Sequence, residues 1–76
     1  MPKRLPRLNA KEITAVIEKK GFTLVRQSGS YKIYRDKQGK RVTIPFHGSK
    51  VLHPKTLKSI LVDAEINTEE LTKLLK

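Results

Sequence analysis

Five cations, Arg26, Lys32, Arg35, Lys40 and Arg41, fall within sixteen residues of one another, and His47 and Lys50 follow them. Guanidinium and ammonium groups hold phosphate oxygens, and an imidazole moves protons near neutral pH. A cluster of this make-up therefore suits a phosphodiester, which it could hold while protons move around it. The plain alternative is a solvated sheet face whose charges do nothing specific. Other chemistries lack the residues they need. His47 and His53 are six positions apart with no acidic residue between them. With no cysteine in the chain, a zinc site has no recognisable ligand set. Ser28, Ser30 and Ser49 have no Asp–His pair to activate a nucleophile. Neither a glycine-rich phosphate loop before a helix nor a paired-carboxylate site is present, so no metal and no cofactor is expected.

The elements that must carry these residues can be read from caps and periodicity. Asn9 and Glu12 have the spacing of a capping box, and Ala10, Ile13, Val16 and Ile17 form one apolar stripe behind it. Lys19 and Lys20 suit the negative end of a helix dipole, and Gly21 can supply the left-handed residue that stops the helix. From Phe22 to Gln27 the period changes to two, Phe22 and Leu24 alternating with Thr23 and Val25. Gln27–Ser30 reads as a turn, Tyr31–Arg35 as a second strand, Asp36–Gly39 as a hairpin loop and Arg41–Phe46 as a third strand. Tyr31 and Tyr34 have opposite parity, so one packs inward and the other faces out. Pro45 cannot donate to a ladder and belongs near a strand end or on a sheet edge. Pro54 opens a second helix with the stripe Leu57, Ile60, Leu61 and Ala64. Asn67 and Glu70 repeat the capping-box spacing ahead of Leu71, Leu74 and Leu75.

The expected fold is α+β, in the order α-β-β-β-α with a three-stranded antiparallel sheet, one face left for the helices, and a short C-terminal helix. Double-stranded-RNA-binding domains share that order. The expected organisation is a basic N-terminal arm over 1–8, one domain over 9–66 and the short helix over 67–76. At 76 residues the chain has room for a single core. Its 17 Lys and Arg against 7 Asp and Glu leave a net charge of +10, a field that draws polyanions and points to nucleic acid. No apolar run approaches the ~20 residues of a bilayer span. The absence of cysteine fits a reducing cytoplasm.

Gly21-Phe22, the run Gln27-Ser28-Gly29-Ser30-Tyr31-Lys32-Ile33-Tyr34, the run Val42-Thr43-Ile44-Pro45-Phe46-His47 and the run Pro54–Leu61 together resemble the HicA toxins of bacterial toxin–antitoxin pairs. The likeness is collinear from about residue 8 to residue 66. It implies a double-stranded-RNA-binding-like fold and a metal-independent endoribonuclease that cleaves mRNA. It also implies a HicB-type antitoxin that covers the active face, with oligomers formed only through that complex. In the family the second strand begins Gly-Ser-His, and that histidine is catalytic; here the matching residue is Tyr31. The expected catalytic positions are thus Tyr31 and His47, with Arg26, Ser30, Lys32, Arg35, Arg41 and Lys50 binding RNA. An imidazole titrates at about 6.5 and a phenol at about 10, so a phenol is a poor base at neutral pH. Tyr31 accordingly raises a second reading, a non-catalytic RNA-binding module of the same fold. A DNA-binding role has no helix-turn-helix spacing behind it.

Overall fold

A computed structural model describes residues 6–46 and 50–75. Helix α1 (Ala10–Lys20) begins where the sequence places its cap. Asn9 Oδ1 accepts from the Glu12 N–H at 2.9 Å, and Glu12 Oε1 accepts from the Asn9 N–H at 3.0 Å. It ends on Gly21, whose φ of +110° lets Phe22 N–H reach the Ile17 carbonyl at 3.2 Å. That is the 6→1 bond of a Schellman motif, and it drops Phe22 into the core. Asn9→Ala removes an acceptor from the first turn and is expected to cost about 1 kcal/mol, lowering the melting temperature by roughly 4–8 °C. An unchanged thermal transition would show that the first turn is held by tertiary contacts instead.

Three antiparallel strands follow, β1 (Thr23–Ser28), β2 (Tyr31–Arg35) and β3 (Arg41–Pro45), in the order β1-β2-β3. Gly29, at φ +58°, makes the tight turn that sets Ser28 opposite Tyr31. The second hairpin is organised by Asp36, whose Oδ1 accepts from the Gln38 and Lys40 N–H groups at 3.0 and 2.8 Å. Between Leu24 and Arg26 the β1–β2 register shifts, leaving Val25 as the extra residue of a bulge. This shift breaks the simple alternation read from the sequence. Phe22 is buried but precedes the strand, and every residue of β1 is exposed.

Helix α2 (Pro54–Ala64) and the seven-residue α3 (Thr68–Leu74) complete the order α-β-β-β-α-α, an α+β fold with an open three-stranded sheet. Tyr34, Val42 and Ile44 share a core with Ile13, Val16 and Ile17 of α1, the four stripe residues of α2, and Leu71. Alternation then leaves Tyr31, Ile33, Arg35, Arg41, Thr43 and Pro45 on the uncovered face. Tyr34 is the inward ring and Tyr31 the outward one, and Pro45 closes an edge strand. Leu75 departs from the expected stripe: it is exposed beyond the last helical residue, and Leu71 carries the burial of α3. Leu8 is also in the core, and its carbonyl accepts from the Leu52 N–H at 2.8 Å.

Helix α2 stops in the same way as α1 but without glycine. Glu65 takes the left-handed conformation at φ +57°, which costs a residue with a Cβ about 1 kcal/mol. Its carboxylate lies 3.3 Å from Lys40 Nζ, linking the end of α2 to the second hairpin. At α3, Asn67 Oδ1 accepts from the Glu70 N–H at 2.8 Å, while the Glu70 carboxylate turns to Lys20 of α1 rather than back to its own cap.

Candidate functional site

Tyr31 is the first residue of β2 and half-exposed. Directly opposite it in the ladder is Pro45, and the Ser30 carbonyl accepts from the Phe46 N–H at 2.6 Å, so the start of β2 is fastened to the end of β3. Beside that junction lies a cleft of about 500 Å³ lined by Tyr31, Thr43, Pro45, Lys50, Val51, Leu52, His53 and Thr56. One wall is the β3 edge and the other the entry to α2. The lining mixes a phenol, an ammonium, an imidazole and two hydroxyls with an apolar floor, and among the described residues it includes no carboxylate. Such donors can hold a phosphodiester and offer protons to it.

A second group sits at the other end of the same face. Arg26, Arg35 and Arg41 surround Ile33 and Val25 in a groove of about 310 Å³. Arg35 and Arg41 are directly opposite each other across β2 and β3, and Arg26 lies opposite Ile33 across β1 and β2. Facing like charges disfavour the sheet, and this lining too has no carboxylate to offset them. An anion resting between the guanidinium groups would remove the repulsion. From Tyr31 to Arg35 the distance along β2 is about 13 Å at ~3.3 Å per residue, so one polyanion can span both sites.

The residues expected to bind RNA therefore divide by position. Arg26, Arg35 and Arg41 form the groove, Lys50 joins Tyr31 in the cleft, and Ser30 lies in the turn beside it. Lys32 points to the opposite face, where its Nζ sits 4.0 Å from the Phe46 ring centroid in a cation–π contact. Lys40, from the basic run, is engaged with Asp36 at 3.9 Å and Glu65 at 3.3 Å. His47 lies outside the described residues. Tyr34 is a packing residue: burial raises the pKa of its phenol above 10.0, the Glu18 carboxylate adds to the rise, and the nearby Thr14 hydroxyl works against it.

His53 is the residue that sequence reasoning passed over as a site candidate. It is the N-cap of α2, and its Nδ1 accepts from the Lys55 N–H at 3.1 Å. The signal was present in the His-Pro step before the α2 stripe, which marks a helix entry, although histidine is an uncommon cap. Among the described residues no group of His, Cys, Asp and Glu could hold a metal ion. No helix among them is long and apolar enough to cross a membrane.

No curated protein matches the sequence. A family model does, the one described as the HicA toxin of bacterial toxin–antitoxin, over residues 10–66. The matched stretch runs from the first residue of α1 to the residue after the left-handed turn that ends α2. Three quarters of the chain lies inside it, with the cleft and the arginine groove included, and the chain belongs to the HicA toxin family, as the toxin member of a toxin–antitoxin pair.

Proposed function

We propose that this toxin acts on RNA: it is an endoribonuclease by descent that cuts mRNA in the cytoplasm without a metal, and Tyr31 occupies its catalytic position. A HicB-type antitoxin is its partner and covers the face that carries Tyr31. The observation that supports this reading most is the Tyr31 cleft, where a half-exposed ring stands among cationic and hydroxyl donors on the uncovered face. Lys50 binds the phosphate at the cleft, Ser30 lies at its rim, and Arg26, Arg35 and Arg41 hold the strand farther along. Tyr31 also favours a second reading, that the chain binds RNA without cutting it, because a phenol is a weak base at neutral pH. Incubating RNA with the chain and with Tyr31→His separates the two. Cleavage by either supports the nuclease lineage, and binding without cleavage by both supports the module.

Binding itself has a salt signature. RNA affinity is expected to fall with salt by about 0.7 in log K per log salt for each phosphate neutralised on a single strand. Arg35→Gln together with Arg41→Gln is expected to lower that slope by roughly 0.7–1.4 while the melting temperature holds or rises, since the facing charges are gone. A flat salt response in the unaltered chain would take RNA out of the reading and leave an acidic protein as the ligand of this face.

A further inference from the structure

We propose that His53 is a catalytic residue of the ribonuclease reaction, acting through its Nε2–H as a fixed hydrogen-bond donor to the scissile phosphate. The proposal rests on the nuclease reading above and adds a residue to it. Tyr31 and His53 line the same cleft, one from the start of β2 and the other from the entry to α2. The imidazole is not free to choose its tautomer there. Its Nδ1 accepts the Lys55 N–H at 3.1 Å, so in the neutral ring the proton belongs on Nε2. With Nδ1 engaged by backbone, the polar atom the ring has left for a ligand is Nε2–H.

This settles what kind of help the ring gives. A nitrogen that already carries a proton cannot take one from a 2′-hydroxyl, so His53 is not the base. In the cleavage step the base removes the 2′-hydroxyl proton, the 2′-oxygen–phosphorus bond forms, and the bond from phosphorus to the 5′-oxygen breaks. The departing 5′-oxygen takes a proton from solvent or from the protonated base, leaving a 2′,3′-cyclic phosphate and a 5′-hydroxyl. Negative charge builds on the non-bridging oxygens during that step, and a donor already aimed at them favours the transition state over the bound substrate. The helix cap holds the ring in place, so the same contact that starts α2 orients the donor.

The experiment uses Tyr31→His as background and adds His53→Asn. Asparagine is a good N-cap, so α2 keeps its first turn while the Nε2–H donor is lost. The single-turnover cleavage rate is expected to fall by about 10²–10³-fold, with RNA affinity and melting temperature nearly unchanged. Cleavage within threefold of the background would overturn the role of His53 and leave the nuclease reading standing. If neither Tyr31→His nor the unaltered chain cuts RNA, the nuclease reading fails by itself, and imidazole nitrogen NMR still decides the donor. There the Nε2–H tautomer is expected in the free protein, with its resonance shifting when a 2′-deoxy RNA analogue binds. A proton on Nδ1, or an Nε2–H that ignores the analogue, would sink the proposal.

Discussion

The Tyr31→His chain is expected to cleave RNA about 10²–10⁴-fold faster than the chain as it stands, the range a general base typically contributes. Expressed under tight control it should arrest growth, while the Tyr31 chain should be harmless or weakly toxic. The reason is proton inventory. Attack by a 2′-hydroxyl needs an acceptor that is unprotonated at neutral pH, and an imidazole meets that need where a phenol ordinarily does not. The position accepts the exchange because Tyr31 begins a strand and half of its surface faces solvent, so either ring fits without repacking the core. Circular dichroism of the two chains should coincide. Equal cleavage by both, abolished by His47→Ala, would move the base to His47 and refute the assignment to Tyr31.

Leu71→Ala is expected to destabilise the fold by about 2–5 kcal/mol. A domain of this length has only about 4–11 kcal/mol to lose, at 0.05–0.15 kcal/mol per residue. The helix that carries Leu71 lies beyond the stretch matched by the family model, where an appendage would lie. Its packing says otherwise. Leu71 is fully buried in the one core, Lys19 Nζ donates to the Leu74 carbonyl at 3.0 Å, and Lys20 pairs with Glu70. Urea unfolding measures the change directly. A loss below about 0.5 kcal/mol, the range of ordinary surface changes, would show that α3 only rests on the domain.

Most of the fold was legible because its boundaries are written in short-range chemistry. Asn9 with Glu12, Gly21, Gly29 and Pro54 each satisfy a local backbone demand, and each stands where an element starts or stops. The stripes of α1 and α2 were legible for a related reason, since all of their positions face one core. What depends on register was not. The bulge at Val25 resets which residues of β1 share a face, and no residue type announces it. Leu75 fits the α3 period but comes after the helix has ended. The site was half legible. Charge and the likeness to the family drew attention to the face that carries the candidate cleft and the arginine groove, yet a run of cations says nothing of which side of a strand each one takes. Lys32 went to the far face, Lys40 into ion pairs, and His53 entered the cleft from a distant part of the chain.

The two free edges of the sheet bear on how anything can grip this protein. Along β1 the bulge at Val25 breaks the even spacing of N–H and C=O groups, and along β3 Pro45 removes a donor at the strand's end. Among the described residues neither edge offers a long, regular row for another strand to add onto, which disfavours growth of the sheet by a second copy or by an extended peptide. A partner that does not extend the sheet must be selected by side chains, and on the proposed reading the same few arginines and rings have to tell an RNA strand from an acidic protein.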